Sequence, residues 1–457
     1  MNSYKIYSCL PVLLQDVVCS IYGVREGRIR FNKKFYTLLD ELKKSDFSTL
    51  EQLLAIKKAR LRCIILAAKH SGIYRELDDI SESLIEEEPW QVLAGMPVLQ
   101  KSELTNFNKV TNGDARKVIT SGTTGKALTI WKDRESFAMQ WAVWFRHRYR
   151  FGVNLKDLSV NFTGKPVVPI SQKKPPFWRH NLAQNQILIS MQHINQENIH
   201  AIVCYLNSIK PIFYSGYPSI ISEVSRLATN SGLALHEEAR PKVVFTGAEN
   251  LLEYQRRSIY HWTGAVVTDQ YGLTEGNCNF SKCEHGYYHE DSEFCHIEIV
   301  DGERLEDGAI KGRLIGTAFY NNAMPLIRYD TGDIAIMAPE DFKCPCGRHS
   351  RVIFSVDGRS DDYVITPDGR QIMRFDYLFK DTFEVMEAQV VQERFGEVEI
   401  FAVLSGKGTV DEFEDKVKGH FYEYISKDML VFFKYVDAIP RSSTGKFKAV
   451  LNRLNER

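Results

Sequence analysis

The sequence predicts an α/β protein, with a large N-terminal domain of layered sheets and helices and a small α+β C-terminal domain. Three observations carry this expectation. Over residues 118–336, short β-branched runs such as Val243-Val244-Phe245 and Val266-Val267-Thr268 alternate with amphipathic stretches such as 220–227, a pattern that lays helices on largely parallel sheets. After Asp357-Gly358-Arg359 the pattern restarts on a smaller scale. The chain has 457 residues, too many for one small module at roughly 100–200 residues per domain.

Taken in order, residues 1–110 read as a helical flank of the large domain. Leu53, Leu54, Ile56, Ala59, Leu61, Ile64, Leu66 and Ala67 recur near helical spacing among Lys and Arg. Residues 111–357 form the expected core. Residues 358–457 form the C-terminal domain, with strands at 397–403 and 431–436 and a charged helix over 411–427 between them. No internal repeat or low-complexity tract interrupts this order.

Composition removes several classes of function. A chain that is 44% hydrophobic, 25% charged and 12% aromatic, with 15 Pro, buries a core and is not a disordered scaffold. Lys plus Arg and Asp plus Glu each count 58, so no global field gathers nucleic acid or an anionic membrane, although a local basic patch stays open. The apolar stretch 10–18 is cut by Gln15 and Asp16, so neither a signal peptide nor a membrane span is expected. The nine cysteines, an odd number in a chain this large, point to a reducing cytoplasm.

The sharpest local signal is Thr120-Ser121-Gly122-Thr123-Thr124-Gly125-Lys126, between strand-like Val118-Ile119 and Leu128-Thr129-Ile130. Glycines let backbone N–H groups converge on an anion, hydroxyls add donors and the lysine adds charge. The spacing is not the Walker pattern, since Gly122 and Gly125 are close together and Ala127 replaces the magnesium-holding hydroxyl. A plain Gly-rich hairpin is the competing reading. Five further segments follow: Gly247-Ala248-Glu249; Tyr271-Gly272-Leu273-Thr274-Glu275; Arg328-Tyr329-Asp330-Thr331-Gly332-Asp333; Gly358-Arg359-Ser360-Asp361-Asp362; and, near the end, Pro440-Arg441-Ser442-Ser443-Thr444-Gly445-Lys446. Each alone could be a turn; the ordered series is hard to obtain by accident.

Together these segments make the chain resemble the adenylate-forming enzymes, and among them the phenylacetate-CoA ligase family. The helical region 53–74, Met96-Pro97-Val98-Leu99-Gln100-Lys101, Pro176-Phe177-Trp178-Arg179 and Tyr214-Ser215-Gly216-Tyr217-Pro218-Ser219 resemble its capsular-polysaccharide-biosynthesis branch. The resemblance implies an AMP-forming acid ligase: a carboxylate attacks the α-phosphorus of ATP, pyrophosphate leaves, and a second nucleophile takes the acyl group. Such chemistry needs positioning and charge neutralisation. Ser121, Gly122, Thr123, Thr124, Gly125 and Lys126 would hold the β- and γ-phosphates. Thr274 would meet the α-phosphate and Glu275 would bind Mg2+. Tyr271, beside Gly272, would face the adenine, with Gly247 and Ala248 on its far side and Glu249 at its edge. Asp333 would accept from both ribose hydroxyls with Arg359 nearby, and Lys446 would bridge the substrate carboxylate and the α-phosphate. Asp361 matches the hinge about which the C-terminal domain turns. Out of context, Asp333 with Arg359 reads as a loop salt bridge and Lys446 as a solvated lysine.

Two departures stand out. Ala127 follows the loop lysine where the family often has Pro, and Asp330 replaces a second arginine.

Cys283, followed by His285 and His289, precedes Cys344-Pro345-Cys346 by a long interval. Three thiolates and one imidazole satisfy tetrahedral, structural Zn2+, and the competing reading is reduced, unligated cysteines. Of the two histidines, His289 matches the family position, though either could reach. Cys295, on a strand-like run, reads as core. The partners implied are a small carboxylic acid and an acyl acceptor, either the coenzyme A thiol or an amine or sugar, with no nucleic acid, in a monomer or homodimer. Two other functions stay open: a nucleotidyltransferase that leaves AMP on its substrate, and a non-catalytic nucleotide-binding protein.

Overall fold

A computed structural model describes residues 3–71, 73–106, 115–119, 128–163, 166–248, 251, 253–357, 364–372, 378–379, 382, 385–404, 409–437, 439 and 450–454. Helices occupy much of the first hundred residues. Helix Lys33–Ser45 starts at Asn32, whose Oδ1 accepts the Phe35 N–H at 3.1 Å, and it buries Phe35, Leu38, Leu39 and Leu42 along one stripe. Helix Leu50–Ser71 buries Leu53, Leu61, Ile64, Ile65 and Ala68 in the same way. Both pack into a core shared with helix Arg134–Arg150, which supplies Ala138, Met139, Ala142, Val143 and Phe145.

Strands β1 (Arg116–Ile119) and β2 (Thr129–Lys132) form an antiparallel hairpin. The large sheet is built from β3 (Ser159–Thr163), β4 (Trp178–Asn181), β5 (Gln186–Ser190), β6 (Phe213–Gly216), β7 (Val243–Gly247), β8 (Val266–Gly272), β9 (Asn279–Lys282), β10 (Tyr288–Glu290), β11 (Cys295–Arg304), β12 (Ile310–Ala318), β13 (Tyr329–Met337) and β14 (Val352–Asp357). Their order across the sheet is β11-β12-β13-β14-β10-β9-β8-β7-β6-β3-β5-β4.

The expectation of largely parallel strands holds for one half only. β5, β3, β6, β7 and β8 are parallel, with helices Ile199–Ser208, Pro218–Asn230 and Glu253–Thr263 in the connections. From β8 to β14 every pairing is antiparallel. Chain length accounts for part of this: a parallel pair needs a crossover of about a dozen residues or more, and the short links from β8 to β9, β9 to β10 and β11 to β12 permit only reversal. In the parallel half, buried Val243-Val244-Phe245 reads as a continuous apolar run because helices cover it.

After β14 come β15 (Val364–Ile365) paired with β16 (Gln371–Ile372), then a second sheet of β17 (Val385–Gln392), β18 (Glu397–Leu404), β19 (Leu430–Tyr435) and β20 (Val450–Asn452) in the order β19-β18-β17-β20. Helix Val410–Tyr424 begins with a reciprocal capping box between Thr409 and Glu412 and buries Phe413, Val417 and Phe421 against this sheet. The fold is thus a mixed α/β body with a small α+β unit at the C-terminus. Among the described residues no helix is long and apolar enough to cross a membrane.

Candidate functional site

The site is built where parallel and antiparallel halves meet. β7 and β8 run side by side in register, Gly247 opposite Gln270, so both chains leave the sheet at one edge. Ala248, just beyond β7, takes a left-handed φ of 66°. β8 ends in Gly272, where a Cβ would lie 2.8 Å from Asn279 Oδ1 on β9, so only glycine lets these strands approach this closely. The chain then turns through Thr274 and Glu275, closed by the Gly276 N–H to Leu273 O bond at 3.1 Å.

Tyr271 lies one residue before that turn. Its ring stacks on Phe280 at 5.1 Å between centroids, and its hydroxyl donates to Asp333 Oδ2 at 2.6 Å. Burial, and then the Asp333 charge, raise the phenol well above its ordinary pKa, so it stays a donor. Asp333 is nearly buried on β13, and its N–H is held by Thr331 Oγ1 at 3.1 Å. Asp330, the acid standing in place of the family's second arginine, is held by Arg313 Nη1 at 2.5 Å and accepts the Gly332 N–H at 2.9 Å. It therefore shapes the loop that presents Asp333.

A residue outside the sequence reading joins this group. Lys132, the last residue of β2, is buried and donates to Gln140 Oε1 at 3.1 Å. Its ammonium lies 3.2 Å from where a Cβ on Gly276 would stand. Desolvation pushes its pKa down to about 8, while Glu275 and then Asp133 pull it up. Asp133 is already committed to the N–H groups of Ser136 at 2.7 Å and Asn322 at 2.8 Å. Glu275 is thus the carboxylate left to answer Lys132. The signal was present in the sequence: alternation along β2 turns Lys132 inward with Ile130.

The structure thus brings Tyr271 to Asp333, and sets Gly247, Ala248, Gly272, Thr274 and Glu275 along the edge formed by β7 and β8. Ser121, Gly122, Thr123, Thr124, Gly125, Lys126, Glu249, Arg359, Asp361 and Lys446 lie outside the described residues.

The second cluster lies at the turn from β9 to β10. Cys283, His289, Cys344 and Cys346 place their ligand atoms within 4.8 Å of one another. Cys283 Sγ is 3.7 Å from Cys344 Sγ, and Cys346 Sγ is 3.3 Å from His289 Nε2. Tetrahedral zinc with Zn–S of about 2.3 Å requires sulfurs about 3.8 Å apart, so the donor set and spacing fit that ion. His289 Nδ1 pairs with Ser350 Oγ at 3.2 Å, leaving Nε2 for the cluster. Burial pushes the Cys344 thiol up to about 12, and burial followed by Arg150 and Arg348 pushes His289 down to about 4. His285 is not in this group among the described residues. Cys295 is buried in the core as expected.

Arg348, next to this cluster, reaches Asp46 Oδ2 at 3.1 Å and Glu284 Oε2 at 3.1 Å. Asp46 also takes Arg150, and buried Arg146 holds Asp291 at 2.6 Å and Glu293 at 2.8 Å. These pairs tie the helical flank to the sheet.

Comparison with known proteins agrees with this geometry. Along 98% of its length the chain is 24% identical to Protein CapK of Staphylococcus aureus, covering 99% of that protein. Residues 364–453 match the CapK C-terminal domain. The phenylacetate-coenzyme A ligase of Thermus thermophilus is 30% identical over 36% of this chain and 37% of its own length. The chain resembles the phenylacetate-CoA ligase family of adenylate-forming enzymes, and most extensively CapK. By class it is an AMP-forming ligase. The fold agrees: a crystal structure of 2-hydroxyisobutyryl-CoA ligase in complex with 2-HIB-AMP and CoA superposes with a TM-score of 0.56 at 17% identity, covering 90% of this chain and 91% of that one. A second structure of that ligase, in the postadenylation state, gives 0.52.

Proposed function

We propose that this ligase activates a carboxylic acid with ATP as an acyl-adenylate, releases pyrophosphate, and transfers the acyl group to the coenzyme A thiol or to an amine or sugar. The observation that carries the reading is the Tyr271–Asp333 hydrogen bond, which joins the motif leaving β8 to the acid on β13. A phosphate-binding turn, an aromatic face and a ribose-binding acid are what one nucleotide requires together. The complexes of 2-hydroxyisobutyryl-CoA ligase with 2-HIB-AMP and coenzyme A support the same sequence of events.

In this reading Tyr271 and Ala248 flank the adenine, Asp333 accepts from the ribose hydroxyls and Arg359 stands beside the sugar. The Ser121–Lys126 loop holds the outer phosphates, and Thr274 donates to the α-phosphate. An acid carboxylate oxygen attacks the α-phosphorus, and the bond to pyrophosphate breaks. Lys446 offsets the negative charge that builds between carboxylate and phosphate. Then the acceptor attacks the acyl carbon, AMP leaves with the bonding electrons, and the acceptor loses its proton. Glu275, a hard oxygen donor beside Lys132, fits Mg2+, which when bound supplies charge neutralisation to the departing phosphates. Cys283, His289, Cys344 and Cys346 would hold structural Zn2+ away from the reacting atoms. The 358–457 domain would turn at Asp361 between the half-reactions.

The test is exchange of labelled pyrophosphate into ATP across a panel of carboxylic acids, repeated on Lys446→Ala. Acid-dependent exchange that collapses in the variant is expected. ATP binding with no exchange from any acid would overturn the proposal, and exchange that persists without acid would point to nucleotidyl transfer.

A further inference from the structure

Helix Val12–Arg30 is seated inside out. Its buried residues are Gln15 and Gly23, with no buried aliphatic side chain among its nineteen residues. Polar contacts fix it to the body. Gln15 Oε1 accepts from Arg179 Nε at 2.6 Å, Asp16 Oδ1 from the His180 N–H at 2.8 Å, and Ser20 Oγ from the Leu182 N–H at 3.1 Å. Gln184 Nε2 donates to Gly23 O at 3.0 Å, and a Cβ on Gly23 would collide with Asn181.

The opposite face is aliphatic and open. Leu13 is 78% exposed, Ile21 64% and Val17 50%, with Leu14, Tyr22 and Val24 also exposed. Positions 13, 17, 21 and 24 recur at helical spacing, a stripe roughly 17 Å long at about 1.5 Å per residue. A surface helix normally buries its apolar stripe and shows its polar one, and a continuous exposed stripe marks a face that meets something apolar.

Charge at one end of the stripe identifies the partner. Arg25, Arg28 and Arg116, together with Ile21, Val24 and Ile29, line a depression of about 450 Å³. The acids on this helix are committed elsewhere, Asp16 to His180 at 3.1 Å and Glu26 to Arg30 at 2.8 Å. The three arginines make no ion pair with a carboxylate among the described residues. A second copy meeting this face across a two-fold axis would bring the same arginines and no acid to answer them. A bilayer carrying anionic headgroups offers apolar depth beneath a layer of negative phosphates, which matches both features.

We propose that the outer face of helix Val12–Arg30 docks on an anionic lipid surface, with Leu13, Val17 and Ile21 entering the headgroup boundary while Arg25, Arg28 and Arg116 meet lipid phosphates. The attraction is local, in a chain whose net formal charge is zero.

The test is co-sedimentation of the full chain with vesicles of phosphatidylcholine alone or mixed with phosphatidylglycerol. Binding is expected only with phosphatidylglycerol, weakening as salt rises. Arg25→Gln with Arg28→Gln, and separately Val17→Ser with Ile21→Ser, should each lower the bound fraction about tenfold. Because these side chains are exposed and none belongs to the proposed nucleotide site, both variants should keep the pyrophosphate exchange of the unaltered protein, which separates this proposal from the adenylation reading. Failure to sediment with either vesicle, or binding indifferent to both variants, overturns it. So does a dimer by light scattering that Val17→Ser with Ile21→Ser dissociates, since the face would then meet a second copy.

Discussion

Replacing Tyr271 with phenylalanine keeps the ring and deletes one hydrogen bond, isolating the contact that joins β8 to Asp333. The ring still stacks on Phe280 at 5.1 Å, and Asp333 keeps its backbone bond to Thr331 at 3.1 Å. What disappears is a phenol donating to a nearly buried carboxylate at 2.6 Å. Hydrogen bonds to charged groups contribute about 1.5–3 kcal/mol. In the proposed reading Asp333 retains a second oxygen with which to hold a ribose, so the lower end applies. A loss of about 1.5 kcal/mol corresponds to a roughly tenfold rise in the KM for ATP. The bond serves bound ATP and transition state alike, so kcat should stay within about twofold. The assay is acid-dependent pyrophosphate exchange over a range of ATP concentrations, with Asp333→Asn and the double variant completing a cycle. Coupling of about 1 kcal/mol is expected for groups in direct contact. An ATP KM within about twofold of the unaltered protein's, or single effects that simply add, would refute the reasoning, because Asp333 would then be positioned without Tyr271.

Lys132→Met removes a desolvated ammonium from beside Glu275. Exchange should fall at least about tenfold, while the urea midpoint holds or rises because the burial cost of the charge is gone; a variant that exchanges normally would remove Lys132 from the site. Arg146→Met leaves Asp291 and Glu293 buried without their cation and should cost about 3–5 kcal/mol in urea unfolding. The sign of its pH dependence should also change. Burial pushes Glu293 up, but Arg146 brings its pKa below the ordinary value, and Asp46 is likewise held low by Arg150, Arg146 and Arg348 against its burial. Both contribute stability at neutral pH that is lost as pH falls below the carboxylate range of about 4. In Arg146→Met the uncompensated carboxylate instead takes up a proton on acidification, so stability should rise from pH 7 towards about 5; an unchanged profile would contradict this. The purified chain should contain zinc at near one equivalent and Cys344→Ser far less, as read by mass spectrometry of the metal.

Elements with a dense local signal were legible in the sequence. The stripe carrying Leu53, Leu61 and Ile64, the run Val243-Val244-Phe245 and the charged helix read over 411–427 are each determined by short-range pattern, and helices or a strand stand there in the fold. The antiparallel half was less legible, because strand direction depends on connection length and not on the apolar run itself. Gly272, Glu275 and Asp333 could be named as candidates because they sit in short motifs with turn chemistry. Lys132 carries no motif: alternation along β2 turns it inward with Ile130, but that it comes to lie near Glu275 depends on the fold and not on any local string. Helix Val12–Arg30 shows the converse. Gln15 and Asp16 break the apolar run and so argue against a membrane span, yet in the fold they are the inward anchors that leave the aliphatic side outside.

The position of the cysteine cluster explains why a structural metal would matter to the proposed nucleotide site some distance away. β8, β9 and β10 carry Tyr271 and its stacking partner Phe280, while β13 carries Asp333 and pairs with β14. The two groups of strands meet where β10 pairs β14, and that ladder has two positions, Tyr288 with Ile353 and His289 with Val352. Cys283 and His289 lie on one side of this seam, and Cys344 and Cys346 on the other. Four metal bonds would therefore reinforce the sheet where its own hydrogen bonding is least extensive, fixing the separation between Tyr271 and Asp333. Loss of the metal in Cys344→Ser should then raise the ATP KM in the same direction as Tyr271→Phe, and combining the two should add little, since both act on one contact. Full additivity would show that the cluster stabilises the chain without setting the geometry of the nucleotide site.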